Sequence, residues 1–251
     1  MKNLVVYVHG KGGSAQEAEH YEMLFPNHEV IGFDYHSQTP WEAKKEFCAF
    51  FAEQRNRCAH LTLVANSIGA FFALSSLDET LVDRAYFISP VVDMENLICN
   101  MMQWSNVTEQ VLAEKREIAT NFGETLSWEY LCYVRRHPII WNVPTCILYG
   151  EHDNLTSIET VSAFAAQHHA DLTVMPGGEH ASSTFILFFR AVFQYVTRLT
   201  LQHVTYRSQC RKPDGADMPV LHLGKVHICN ADFLRQLIQA HFPVRHYAVQ
   251  P

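Results

Sequence analysis

Short apolar segments alternate with longer amphipathic segments over residues 1–199 of this chain. Six segments that are apolar almost throughout are predicted strands: residues 4–8, 29–33, 61–65, 85–88, 145–149 and 172–175. Strands that are apolar on both faces are typical of a parallel sheet covered by helices, because a half-exposed antiparallel sheet alternates apolar and polar positions.

The segments between these strands carry helical periodicity, and four of them are predicted helices: residues 41–55, 68–77, 157–168 and 182–199. The strand–helix order predicts an α/β fold with an open, doubly wound, mainly parallel sheet of about six strands and helices on both faces.

Two regions interrupt this order. Residues 91–143 are far longer than an ordinary connection, and we interpret them as a helical insert after the fourth strand, with helices over 95–102, 108–120 and 127–136. After the α/β domain of residues 1–199, the polar residues 200–219 read as a linker. Residues 220–251 read as an appendage of unknown role, with a hairpin that turns at Gly224-Lys225 and a helix over 231–242.

Composition and charge exclude several classes of function. The 251 residues are 48% hydrophobic, enough for a large core, and the net charge of -7 disfavours general attraction to nucleic acid or an anionic membrane. No apolar run approaches the roughly 18 residues that span a bilayer. The seven cysteines have no metal or redox spacing. We therefore expect a cytoplasmic protein with no disulfide, no metal and no nucleic-acid partner.

The strongest chemical signal is the segment Ala65-Asn66-Ser67-Ile68-Gly69. A buried strand ends, a serine follows at once, and a helix begins. Small residues two positions before and after the serine let strand and helix approach closely, so the turn exposes the serine oxygen beside the Ile68 N–H. The alternative is that Ser67 only caps the helix.

Two further polar residues follow predicted strands, Asp153 after the fifth and His180 after the sixth. Parallel strands end at one edge of a sheet, so we expect both residues to lie near Ser67. A serine hydroxyl needs a neutral imidazole to take its proton, and the imidazole needs a carboxylate to orient it. The neighbours that compete for these two roles are Glu151, His152 and Glu179.

A glycine-rich segment, residues 9–14, follows the first strand. There the backbone N–H of Lys11 or Gly12 is predicted to form an oxyanion hole with the N–H of Ile68. A phosphate-binding loop is the alternative, but the order of glycines fits neither nucleotide motif. We expect His9 to pack the loop.

These residues resemble the α/β-hydrolase superfamily over about residues 1–199. The resemblance rests on His9-Gly10, on the elbow at 65–69, on 150–153 and on Glu179-His180. Ala65 stands where the family's G-x-S-x-G pattern has its first glycine, and the antiparallel hairpin usual at the family's N-terminus is missing. The resemblance implies a lid at the position of residues 91–143.

We predict a serine hydrolase that cleaves a small carboxylic ester or thioester through an acyl-enzyme and needs no cofactor. Met101, Trp104 and Trp128 of the insert are candidate walls of an apolar substrate pocket. The alternative for these three residues is that they form the core of the lid.

Two other interpretations belong to different classes. The same fold without chemistry is a binding module for a hydrophobic ligand or a partner protein, and the basic tail is a candidate docking segment for such a partner. A zinc site in the tail would use Cys210, His222, His227 and Cys229, but their spacings match no zinc template.

Overall fold

The computed structural model describes residues 2–180. The predicted helix over 182–199, the linker over 200–219, the appendage over 220–251 and the four tail residues of the zinc hypothesis lie outside the described residues.

The strands within residues 2–180 are β1 Lys2–Val8, β2 His28–Phe33, β3 Cys58–Asn66, β4 Arg84–Ile88, β5 Glu117–Ala119, β6 Thr125–Ser127, β7 Thr145–His152 and β8 Asp171–Glu179. Six of them form one parallel sheet in the order β2-β1-β3-β4-β7-β8, and a two-stranded antiparallel sheet pairs β5 with β6. The α-helices of the same part are α1 Glu19–Glu22, α2 Pro40–Arg55, α3 Ser67–Ser76, α4 Met94–Trp104, α5 Glu109–Lys115, α6 Trp128–Arg136 and α7 Ile158–Gln167. The six predicted strands and their doubly wound, parallel arrangement are confirmed.

The strand order reverses between β1 and β3, and this reversal positions the loops that follow the two strands. The chain leaves β1 towards β2 and then returns to the other side of β1 to form β3. Tyr7 pairs with Val64 and Val8 with Ala65, so the two strands end level with each other. In open α/β sheets, the crevice outside the strand ends at such a reversal is the usual binding site.

The longest helix of the described chain, α2, has 16 residues and a complete N-terminal cap. Thr39 Oγ1 accepts from the Glu42 N–H at 3.4 Å, the Glu42 carboxylate accepts from the Thr39 N–H at 3.1 Å, and Pro40 occupies the first helical position. Phe47 and Phe51 are fully buried in the core under this helix. Within residues 2–180, every helix is too short or too polar to traverse a lipid bilayer.

Two glycines permit close backbone packing around the ends of β1 and β2. A methyl group on Gly32 would overlap the backbone of Ala15, which begins a short 3-10 helix over Ala15–Ala18. A methyl group on Gly69 would overlap the carbonyl oxygen of His9, just after β1. Both positions need glycine because there is no space for a Cβ atom.

The insert between β4 and β7 consists of α4, α5, the β5–β6 hairpin and α6. The predicted helix over 108–120 is wrong in its second half. Arg116 has φ +68 and ψ -49, a conformation outside the helical regions that ends α5 at Lys115, and β5 begins at Glu117. The buried side chains of the insert include Ile98, Met102, Leu112, Leu126 and Leu131.

Gly32→Ala is expected to lower the free energy of unfolding by about 1–3 kcal/mol, because the added methyl group forces Ala15 away from β2. Urea unfolding followed by circular dichroism measures the change. Lys44→Ala, on the exposed side of α2, is the control and is expected to change stability by less than about 0.5 kcal/mol. Equal stability of the two variants would contradict the packing described here.

Candidate active site

Ser67 lies at a strained turn between β3 and α3. Its φ is +50, a left-handed value that non-glycine residues adopt rarely and mostly where the surrounding structure enforces it. Ala65 is fully buried and Gly69 touches the chain after β1, so the small residues on both sides of the serine permit the close approach. The helix cap is Asn66 rather than Ser67, and the Ser67 hydroxyl is bonded elsewhere.

The side chains of Ser67, His180 and Asp153 form a continuous line of hydrogen bonds. Ser67 Oγ lies 2.8 Å from His180 Nε2, and His180 Nδ1 lies 2.7 Å from Asp153 Oδ2. In the neutral imidazole that fits both contacts, Nδ1 donates to the carboxylate and Nε2 accepts from the serine hydroxyl. The imidazole is therefore placed to remove the hydroxyl proton.

The carboxylate of Asp153 is fully buried, and both of its oxygens accept hydrogen bonds. Its Oδ1 accepts from the backbone N–H of Leu155 at 2.9 Å and of Thr156 at 3.2 Å, while Oδ2 accepts from His180. Burial alone raises the pKa of Asp153, but the hydrogen bond and charge of His180 and the two backbone N–H groups outweigh burial. The net pKa of Asp153 lies below its ordinary value, so the group is an anion at neutral pH.

The three competing residues have other contacts. Glu151 Oε2 accepts from the backbone N–H of Gly177 at 2.8 Å, which links the ends of β7 and β8. His152 and Glu179 are exposed and face each other in the ladder between the same strands. The structure brings Asp153, not Glu151, to His180.

The glycine-rich loop forms a turn against Ser67. Gly13 N–H donates to Gly10 carbonyl oxygen at 3.1 Å, and Gly12 has φ +74, so Lys11 and Gly12 are the two central residues of the turn. A methyl group on Gly10 would lie 3.1 Å from Ser67 Cβ. The backbone of Lys11 and Gly12 is therefore held close to the elbow.

His9 supports this loop from the side. Its ring stacks on Tyr35 at 4.4 Å between centroids, and its Nδ1 donates to the Gly10 carbonyl oxygen at 2.8 Å. The Tyr35 hydroxyl donates to the His9 carbonyl oxygen at 3.0 Å. His9 therefore packs the loop, as the sequence indicated.

Solved structures with the same arrangement of strands include Est1E from Butyrivibrio proteoclasticus, with a TM-score of 0.61 and 14% identity over 81% of this chain and 89% of that chain. Alpha/beta hydrolase domain-containing protein 10 from mouse matches with a TM-score of 0.57 and 15% identity, over 78% and 90% of the two chains. The chain has the α/β-hydrolase fold. No protein-family model and no curated protein matches the sequence.

In this α/β-hydrolase fold the insert contacts the elements that carry the site. The ring of Tyr130, on α6, lies 6.4 Å from that of Phe71, on α3. The ammonium group of Lys11 pairs with the carboxylate of Glu124, in the β5–β6 hairpin. Both contacts join the insert to the carboxyl edge of the main sheet.

The three residues predicted to line a substrate pocket have different environments. Met101 is half-buried against the core, whereas Trp104 is 51% exposed and packs edge-on against Phe122. Trp128 is half-buried and lines a surface cleft of about 520 Å³ together with Arg116. The role of these residues in substrate binding stays a prediction.

Three polar residues behind the site were not found from the sequence. The phenol of Tyr7, on β1, donates to the carboxylate of Glu17, and the side chain of Asn66 lies against Gly10 with its Oδ1 buried and unpartnered among the described residues. A Ser14-x-x-Glu17 pattern, typical of a helix N-terminus, was the available signal for Glu17. Tyr7 was visible as a polar ring in a buried strand, which needs a partner for its hydroxyl.

Asp153→Asn tests the electrostatics of the buried carboxylate. Because the pKa of Asp153 is lowered by folding, its anion stabilises the fold above the unfolded pKa of about 3.9, and this contribution is lost as the pH falls towards the lower folded value. The stability difference between wild type and Asp153→Asn is therefore expected to shrink between about pH 5 and pH 3 in urea unfolding. A difference that grows between pH 5 and pH 3 would contradict the sign of the shift.

Proposed function

We propose that this protein is a serine hydrolase that cleaves a small carboxylic ester or thioester through an acyl-enzyme. The observation that carries the proposal is the line of hydrogen bonds from Ser67 through His180 to Asp153, with distances of 2.8 and 2.7 Å. Two residues 113 positions apart in the chain meet at bonding distance, at a serine with strained backbone geometry.

In the first step Ser67 Oγ attacks the substrate carbonyl while His180 Nε2 takes the hydroxyl proton. Nδ1 of the same ring keeps its proton, and this N–H donates a hydrogen bond to Asp153. The anion of Asp153 fixes the tautomer of the imidazole and stabilises its cationic form. The lowered pKa of Asp153 suits this task, because the carboxylate keeps its charge while His180 is protonated.

The negative charge that develops on the carbonyl oxygen is stabilised by backbone donors. The N–H of Ile68, next to Ser67, is one donor, and the N–H of Lys11 or Gly12 is the other. The contact between Gly10 and Ser67 supports this assignment, since it keeps the two donors close to the attacked carbonyl. Each donor of this kind contributes about 3 kcal/mol of transition-state stabilisation.

The tetrahedral intermediate collapses when His180 gives its proton to the leaving oxygen or sulfur, and the acyl group remains on Ser67. Water then attacks the acyl-enzyme while His180 takes a proton from the water, and His180 returns this proton to Ser67 Oγ as the carboxylic acid leaves. Every proton moves between Ser67, His180, water and the substrate, so the cycle needs no cofactor.

Est1E, one of the similar proteins, is described with bound ferulic acid. Esters of aromatic acids therefore belong in the substrate panel, beside p-nitrophenyl esters and acyl thioesters of graded chain length. Met101, Trp104 and Trp128 remain our candidates for contacts with an apolar acyl group.

Ser67→Ala is expected to lower kcat/KM for p-nitrophenyl acetate by roughly 10³-fold or more, because the nucleophile is lost. Ser75→Ala on the same helix is the control. The Ser75 hydroxyl only donates back to the helix, to the Phe71 carbonyl oxygen at 2.9 Å, and its loss is expected to leave turnover within about twofold. Unchanged turnover in Ser67→Ala would rule out the mechanism.

A fluorophosphonate probe separates the hydrolase from a catalytically silent binding module. The hydrolase is expected to form one covalent adduct per chain, on Ser67, and His180→Ala is expected to react far more slowly because the base is lost. Peptide mass spectrometry identifies the modified residue. A wild-type chain that does not react, or reacts equally without His180, would favour the binding module.

A further inference from the structure

Two polar side chains, the buried Tyr7 and the half-buried Glu17, connect β1 to the glycine-rich loop beside Ser67. The phenol of Tyr7 donates to Glu17 Oε2 at 2.5 Å, and Glu17 Oε1 accepts from the backbone N–H of Ser14 at 3.2 Å. Ser14 ends the glycine-rich loop. Glu17 thus joins β1 to the loop that follows it.

Tyr7 also lies beside the strand that ends at the elbow. It pairs with Val64 of β3, three residues before Ser67. The side chain of Asn66, the residue before Ser67, lies against Gly10, at 3.7 Å from the position of a methyl group there. The elbow, the end of β1 and the loop that Glu17 holds are therefore neighbours.

Tyr7 and Glu17 have little freedom to move. Tyr7 is 1% exposed and its ring stacks on Tyr21 at 4.9 Å between centroids. The 3-10 helix that carries Glu17 lies directly on β2 at Gly32. A methyl group on Gly13 would be 2.8 Å from Glu17 Oε1, so the carboxylate also lies against the loop backbone.

The phenol of Tyr7 stays protonated, so it can donate a hydrogen bond. Burial, and after it the neighbouring Tyr21 and Glu17, raise the pKa of Tyr7 far above that of a free phenol. Tyr7 keeps its proton at every pH at which the protein would be assayed. Its O–H is thus always available to the Glu17 carboxylate.

We propose that Glu17 is a positioning residue for catalysis, which holds the glycine-rich loop where its backbone N–H and that of Ile68 bind one oxyanion. The inference rests on the proposed function and assigns a role to a carboxylate that does not touch the reacting atoms. Its carboxylate holds the loop at Ser14, and through Tyr7 it is linked to β1, which pairs with the strand that ends at the elbow.

A second carboxylate in the chain has matching contacts without the link to the elbow. Glu46, on α2, accepts from the Ser37 hydroxyl and from the backbone N–H groups of His36 and Ser37 at 3.0 Å, in the loop after β2. Glu17 and Glu46 are both half-buried. Glu46→Gln is therefore a matched control for Glu17→Gln.

The test compares both variants with wild type in the hydrolysis of p-nitrophenyl acetate. Rates are divided by the number of active sites, titrated by complete reaction with a fluorophosphonate, so that loss of folded protein is not counted as loss of catalysis. Glu17→Gln is expected to lower kcat about 10- to 100-fold, with KM within about twofold, because an oxyanion contact acts in the transition state. Glu46→Gln is expected to keep kcat within about twofold.

A trifluoromethyl ketone supplies a second readout, because it forms a tetrahedral hemiketal with serine that carries the oxyanion. Its inhibition constant is expected to rise in Glu17→Gln by a factor similar to the loss of kcat/KM, which a purely structural role would not produce. If Glu17→Gln does not fold, Tyr7→Phe decides the question, because it keeps the ring stacked on Tyr21 and removes only the hydroxyl. A loss of kcat is expected there too.

The outcomes separate this inference from the proposed function. If the wild type is active and Glu17→Gln and Glu46→Gln have equal kcat, the role of Glu17 is overturned while the proposed hydrolase function stands. If Tyr7→Phe folds but Glu17→Gln does not, a kcat of Tyr7→Phe equal to that of the wild type would also overturn the role of Glu17. A wild type that neither hydrolyses any ester of the panel nor reacts with the fluorophosphonate would overturn the proposed function itself.

Discussion

The site depends on the close packing of α3 against the end of β1. Gly69 has no side chain, so the helix after the elbow can touch the carbonyl oxygen of His9. The paired register of β1 and β3 ends both strands at the same height. These two constraints put Ser67 beside the glycine-rich loop, and a larger residue at position 69 would separate them. The strain at Ser67 is maintained by this packing.

The electrostatics of the site follow from how far its three side chains are buried from solvent. Asp153 is buried, yet three hydrogen bonds keep it ionised, and the charge is directed at His180. Ser67 is only 8% exposed but lies at the end of a strand, where a substrate could approach from the crevice. Behind the elbow, Tyr7 and Glu17 are hydrogen-bonded to each other, whereas Asn66 Oδ1 and His9 Nε2 are buried without a partner among the described residues.

The sheet and the line of three side chains were predictable because their signals are local or follow from topology. Apolar strands mark the sheet, and parallel strands bring Ser67, Asp153 and His180 to one edge. The end of α5 was not predictable, because Arg116 adopts a positive φ without being glycine. Nor was the Tyr7–Glu17 contact, since the Ser14-x-x-Glu17 pattern predicts a cap and not which strand residue the carboxylate meets.

The central claim is that acyl transfer passes through the Ser67 oxygen. The most direct measurement is rapid acid quenching during turnover of a p-nitrophenyl ester, followed by mass spectrometry of the peptide that contains Ser67. The account predicts that this peptide gains the mass of the acyl group and that p-nitrophenol is released in a burst of one equivalent when deacylation is slow. Turnover with the acyl group on a different residue, or with no covalent adduct under conditions that give a burst, would contradict it.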